Sequence, residues 1–252
     1  MKLKKIAELI EQAFPLSSAY DWDNTGLLLG DGEQEIEKVL ISLDVNNAVL
    51  DEAQKVGADM ILSHHPILWD GAKRITSETA EGRLIMGLLE SNISVYAAHT
   101  NCDVGTIGIN ARLAQLFGLC DVELLEETGL GRIGNLKTPM TFADFAALTK
   151  TLLKTPCVRI CGDKAATVSR IAIGAGACWD SIPTAIKKCA DVMITADMKY
   201  HQMIDSRENG IFVIDAGHYP TEIIAIDIFA EILKDCGLTL IKSENTDIFE
   251  FV

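Results

Sequence analysis

The sequence predicts an α/β protein in which short strands alternate with helices. Three observations carry that expectation. Apolar, β-branched runs such as Val39-Leu40-Ile41-Ser42-Leu43 recur between segments of helical periodicity, as in a mostly parallel sheet covered by helices. At 252 residues the chain exceeds the usual single-domain size, so two compact halves are expected. Hydrophobic residues make up 48% and charged residues 23%, with no low-complexity tract or Pro/Gly-rich linker, which is the balance of a chain that buries its own core.

The elements follow in order. Leu3, Ile6, Ile10 and Phe14 mark one face of an opening helix, and Glu8 and Glu11 break the apolar run that an export signal would need. The strand at Val39–Leu43 leads into a helix capped by Asn46 or Asn47, with Val49, Leu50, Ala53 and Val56 facing inward and Gly57 as its stop. Met60-Ile61-Leu62 is the next strand, followed by a loop with Pro66 and Gly71, a helix around residues 79–90, and the strand Ile93-Ser94-Val95-Tyr96. A helix from Ile109 to Phe117 closes at Gly118, and the acidic, less regular stretch after it sets the boundary near residue 125. The halves expected are therefore 1–125 and 126–252, with the last segment free to pack back on the first half.

In the second half, Thr141 and Asp144 predict an N-capped helix to about Lys154. Strands are expected near residues 157–161 and 168–174, a helix from about Trp179 to Cys189, and a strand at Val192-Met193-Ile194. Another helix, the strand Ile211–Ile214, and a long amphipathic helix from about Glu222 to Leu233 complete the chain. Ala58-Asp59-Met60-Ile61-Leu62-Ser63 echoes Ala190-Asp191-Val192-Met193-Ile194-Thr195, which suggests a duplication, although short βα patterns also recur by chance.

Acidic residues outnumber basic ones 36 to 22, giving a formal charge of -14 that repels phosphate backbones and argues against nucleic acid as a partner. No stretch approaches the ~20 apolar residues of a membrane span. Seven scattered cysteines do not form a disulfide framework, so a reducing, cytoplasmic setting is expected. Cys157 and Cys161 would share one face of a strand and read as core rather than as zinc ligands.

Chemistry collects around the histidines. All five lie at or just beyond the C-terminal end of a predicted strand, the edge where α/β sheets bind ligands. His64 and His65 are adjacent, and Pro66 favours a turn there; their imidazoles suit metal ions, or alternatively satisfy local hydrogen bonds. His218 and Glu222 are four apart on one helical face and can hold one ion, the alternative being a capping interaction at a helix start. Asp103 adds a carboxylate at the same edge. Three imidazoles and two carboxylates form a mixed N/O donor set that suits Zn, Mn, Fe, Co or Ni more than Ca or Mg.

The runs Trp22-Asp23-Asn24-Thr25-Gly26-Leu27, Ser63-His64-His65-Pro66, Ala97-Ala98-His99-Thr100-Asn101-Cys102-Asp103, Asp197-Met198-Lys199-Tyr200-His201 and Asp215-Ala216-Gly217-His218-Tyr219-Pro220-Thr221-Glu222 span nearly the whole chain. Together they resemble the dinuclear-metal-centre proteins labelled GTP cyclohydrolase 1 type 2 homologs, relatives of the Nif-three-like proteins. The resemblance implies two related three-layer α/β domains with a metal site in the cleft between them, and a toroidal homohexamer. It also implies two divalent ions per subunit on His64, His65, Asp103, His218 and Glu222, with Glu222 bridging.

The GTP cyclohydrolase label has little support in the residues: there is no P-loop, and Gly174-Ala175-Gly176-Ala177 reads as a tight turn. His99 and His201 remain after ligand assignment and are candidates for catalytic acid/base work, for orienting ligands or for substrate contact, or they satisfy backbone groups at strand ends. Trp22, Asp23 and Asn24 form a candidate turn by the site, while Lys199, Tyr200 and Asp215 lie near it without an assigned role. The function expected is a metal-dependent hydrolase of a small phosphorylated or nucleotide-like molecule; the alternative is a non-catalytic metal chaperone, store or regulatory scaffold.

Overall fold

The apolar runs do become buried strands in the computed structural model, which describes residues 1–69 and 71–252. The strands in chain order are β1 (Gly26–Leu29), β2 (Lys38–Ser42), β3 (Met60–Ser63), β4 (Ser94–Ala97), β5 (Cys120–Leu124), β6 (Arg132–Thr141), β7 (Arg159–Cys161), β8 (Thr167–Ile173), β9 (Val192–Thr195), β10 (Phe212–Asp215) and β11 (Thr239–Lys242); β1, β5, β6 and β11 correspond to none of the expected runs, and β5 is exposed along most of its length. They form two separate sheets, each accompanied by helices, so the protein is α/β as expected.

The first compact unit comprises Met1–Cys102 and Ala225–Thr246. Its sheet has the order β1-β4-β3-β2-β11, parallel from β4 to β11, with β1 antiparallel along one edge. Strands β3 and β4 are buried at every position, which explains their unbroken apolar sequence. Leu40, Ile61 and Val95 project into a cluster with Val49, Leu50 and Ala53 of the helix Asn47–Val56 and Leu84 and Leu88 of the helix Ala80–Glu90. Tyr96 points the other way, its hydroxyl 3.3 Å from Glu11 of the opening helix Leu3–Ala13. Asn46 caps its helix by accepting the Val49 N–H at 3.0 Å, and Gly57 ends it at φ +64°.

The second unit comprises Asp103–Ile224 and Asp247–Val252, with the sheet order β5-β6-β8-β9-β10-β7. This sheet is mixed: only β8-β9 and β9-β10 are parallel, because β5, β6 and β8 run as an antiparallel ribbon and β7 returns antiparallel on β10. The expectation of mostly parallel pairing is corrected here. Its signal was hidden because Arg132–Thr141 carries exposed polar residues along an antiparallel strand.

Several boundaries also move. Residues 103–124 group with the second unit, not with the first half, because β5 pairs with β6. Ala225–Thr246 belongs to the first unit, where β11 pairs with β2 from Thr239 opposite Lys38 to Lys242 opposite Ile41. The helix expected from about Glu222 to Leu233 runs Ile224–Leu233, and a separate short helix, His218–Glu222, precedes it. Cys157 is exposed and lies outside β7, and Cys161 is half-buried, so neither is a core residue; β7 is a short edge strand with one open side.

The echoed segments fold alike in detail. The Asp59 carboxylate accepts the N–H groups of Glu37 and Lys38 at 2.8 and 2.9 Å, and the Asp191 carboxylate accepts those of Ser169 and Arg170 at 2.7 and 2.8 Å. In each unit an aspartate before a central strand thus pins the neighbouring strand, at its start in the first unit and at mid-length in the second. The next strand is fixed through the same residues' carbonyls, which accept Ser94 N–H at 3.0 Å and Phe212 N–H at 2.9 Å.

Candidate metal centre

In the first unit β3 and β4 finish level, with Ser63 opposite Ala97, so both chains leave the sheet at one edge. The turn after β3 is tight: the Leu43 carbonyl accepts both the His64 and the His65 N–H, at 3.2 and 2.9 Å. This holds the adjacent imidazoles 4.9 Å apart and tilted by 48°. His99 completes the group, its ring 5.1 Å from that of His64 and 5.5 Å from that of His65. One nitrogen from each of the three lies within 4.8 Å of the others, which is donor spacing for a metal ion.

Each imidazole is oriented through Nδ1. His64 donates to the Ala98 carbonyl at 2.8 Å, His65 to the Asp44 carboxylate at 2.7 Å, and His99 to the Asp23 carboxylate at 2.8 Å. A proton on Nδ1 leaves the Nε2 lone pair as the ligating electron pair, the arrangement found around protein-bound metals. Burial opposes ionisation of Asp23, but hydrogen bonds from His99 and Thr100 outweigh it and draw its carboxyl down to about 2. Asp23 therefore stays ionised at neutral pH and keeps the His99 proton on Nδ1.

In the second unit β9 and β10 also finish level, Thr195 opposite Asp215. Gly217, at φ +88°, turns the chain into the short helix His218–Glu222. His218 places Nε2 2.9 Å from the Glu222 carboxylate and donates from Nδ1 to Asp197 at 2.7 Å. Gly176, at φ +58°, passes so close beneath that a Cβ there would collide with the Glu222 carboxylate. Its N–H donates to Thr221 Oγ1 at 3.0 Å, so the turn and the helix are fixed together.

Asp215 organises the surroundings of His218. Its carboxylate accepts the Met198 N–H at 3.0 Å, the Gly217 N–H at 3.2 Å and the Arg159 guanidinium, joining the Asp197 turn to the His218 turn. Asp103, nearly buried in the short helix Thr100–Val104, offers its carbonyl to Asn110 Nδ2 at 3.1 Å, while Asn110 Oδ1 accepts the Ala175 N–H at 2.9 Å. The buried Arg132 guanidinium clamps the carbonyls of Val104 and Gly105, just after Asp103, and those of Gly129 and Gly131. Burial pushes the Cys178 thiol up to about 12, so it stays protonated at neutral pH.

Imidazole nitrogens and carboxylate oxygens with their outer hydrogen bonds already made fit a divalent transition metal. His64, His65 and His99 form one such group and His218 with Glu222 another. The model for Duf34/NIF3 (NGG1p interacting factor 3) matches residues 1–247. The chain belongs to the Duf34/NIF3 family. A GTP cyclohydrolase 1 type 2 homolog of Clostridium perfringens is 35% identical to it, with 100% of both chains covered. Among solved structures, reduced HcgD from Methanocaldococcus jannaschii has a TM-score of 0.86 at 33% identity, covering 97% of this chain and 98% of its own. The Bacillus cereus protein related to NIF3 has the same fold, with a TM-score of 0.92 at 24% identity over 100% and 99% of the two chains.

Within this Duf34/NIF3 chain His99, read from sequence as a group apart from the ligands, joins His64 and His65. His201 joins neither donor group among the described residues: it is exposed on the helix Tyr200–Glu208, its ring edge-on to Tyr200 at 5.5 Å. Lys199 is the N-cap of that helix, its N–H donating to the Gln202 side chain at 2.7 Å. Asp44 and Arg132 were not picked out by sequence, and Asp197 and Gly176 appeared there only within a motif run and a turn, with no role at the site. Asp44 was within reach of that reading, as a carboxylate just past the end of β2 at the edge where the histidines gather. The others become visible only through contacts between segments far apart in the chain.

Proposed function

We propose that the protein binds two divalent transition-metal ions through His64, His65, Asp103, His218 and Glu222, with Glu222 as the bridging carboxylate. It uses them to hydrolyse a small phosphorylated or nucleotide-like molecule. The observation that carries this is the shared orientation of the His64, His65 and His218 imidazoles, each giving its Nδ1 proton to a carbonyl or carboxylate and presenting Nε2. Bound ions of this kind supply Lewis acidity toward the attacked group. The His99 Nε2, left free for a proton because Nδ1 is held by the Asp23 carboxylate, is the group that takes or returns one. His201 contributes a substrate contact from its exposed helix.

The sequence resemblance and the family membership support a homohexamer, and no helix among the described residues is long and apolar enough to cross a membrane. The scattered, odd number of cysteines supports a cytoplasmic setting. Elemental analysis of protein reconstituted with Zn, Mn, Fe, Co or Ni should give two ions per chain, and light scattering six chains per particle. A screen with phosphate monoesters, phosphodiesters and nucleotides should then find turnover that follows ion occupancy. Stoichiometry that never passes one ion per chain overturns the ligand assignment, and full loading without turnover leaves a metal store or chaperone.

A further inference from the structure

The histidine group of the first unit is rimmed by exposed aromatic rings. Trp22 is 63% and Trp69 50% exposed, although indoles are usually mostly buried. Both meet His99 edge-on, at 6.0 Å and 73° for Trp22 and at 5.1 Å and 89° for Trp69. Trp69 also lies 6.4 Å from His65, and Tyr20 stacks on Trp22 at 5.9 Å with the rings within 7° of parallel. Two exposed indoles thus converge on one imidazole.

The segments that carry them are anchored. Asp23 is held by His99, by the Thr100 N–H at 3.0 Å and by the Thr100 hydroxyl, and the Tyr20 N–H donates to the same hydroxyl at 3.1 Å. The Asn24 side chain donates to the Leu68 carbonyl, tying the Trp22 turn to the segment that presents Trp69. The rings are therefore in place before any ligand arrives, which removes most of the ordering cost of binding.

We propose that Trp22 and Trp69, with Tyr20 supporting Trp22, form a stacking site that holds the planar heteroaromatic ring of a small molecule over the His64, His65 and His99 group. The inference rests on His64 and His65 being metal ligands with His99 beside them, and it adds the chemical class of the ligand. Indole faces bind flat π-systems of any base, whereas the net charge of -14 disfavours a polyanionic strand. The ligand is thus a single ring system or mononucleotide rather than a nucleic acid.

Calorimetry on the metal-loaded full chain, with guanosine and adenosine monophosphate against ribose 5-phosphate, tests it. The base-bearing probes should bind about tenfold or more tightly than the base-free one. Trp22→Leu and Trp69→Leu should each erase that preference while metal content stays at the wild-type level, and Trp22→Phe should retain most of it. Equal affinity for all three probes, or a preference that survives in both leucine variants, overturns the proposal. A fall in particle mass in the leucine variants also overturns it, by showing that the indoles bind another protein surface. Failure of the metal reading would show separately, as wild-type protein that takes up no divalent ion.

Discussion

His218 meets Asp197 through Nδ1 at 2.7 Å, and that contact decides which ring nitrogen the imidazole offers to a ligand. Asp197 sits at φ +58°, a left-handed position that Asp tolerates better than most residues. Asp197→Ala removes the acceptor without touching a proposed ligand. Metal affinity should fall about 10- to 100-fold with the fold retained, as is usual for outer partners of ligating histidines. A competition titration with a chelating dye measures it, and wild-type affinity would assign Asp197 to the turn alone.

Gly176→Ala puts a methyl group into the space filled by the Glu222 carboxylate. The left-handed backbone at φ +58° adds strain of about 1 kcal/mol. The expected outcome is a modestly lower melting temperature with a much larger loss of metal binding, read by calorimetry and elemental analysis. Loss of stability alone would separate the Gly176 turn from the metal site.

Glu222→Gln and His64→Ala distinguish a bridging ligand from a terminal one. A carboxylate has two oxygens and can join two ions, whereas a neutral imidazole offers one lone pair. Glu222→Gln should lower the occupancy of both ions, while His64→Ala should leave about one ion per chain. Two ions retained in Glu222→Gln would remove Glu222 as the bridge.

Asp23 sets a pH limit. Its carboxyl titrates at about 2 in the folded protein instead of the ordinary 3.8, so folding favours the ionised form. The stability this gives is complete above the ordinary value and is lost as pH falls through 3.8 toward about 2. Thermal melts of wild type and Asp23→Asn across that window should converge as pH falls, the variant being less stable at neutral pH. Parallel curves would mean that Asp23 contributes nothing through ionisation.

Arg132 is buried with its guanidinium on four carbonyls, and Arg132→Met strands those acceptors. The loss should be about 3 kcal/mol in urea unfolding. Because two of the carbonyls follow Asp103, metal affinity should fall as well, in a variant that still folds.

The sequence by itself determined the buried central strands and where the chemistry gathers, but not the edge strands β1, β5 and β11 or the half-exposed β6. Runs such as Met60–Ser63 and Val192–Thr195 are apolar because both their faces are covered, and that burial is written in their composition. Histidines and carboxylates just past strand ends mark the ligand-binding edge for the same local reason. Tertiary structure alone decided what depends on partners distant in the chain. It took β5 away from the first half by pairing it with β6, and it returned β11 to β2 after the intervening Asp103–Ile224 segment. It set the Nδ1 partner of each imidazole, with Asp23 reaching His99 across 76 positions and Asp44 reaching His65 across 21. Periodicity reports the face a residue turns to the core, because that follows from backbone geometry within a few residues. It cannot report which remote carboxylate will meet a given nitrogen, because that depends on where separate elements come to rest.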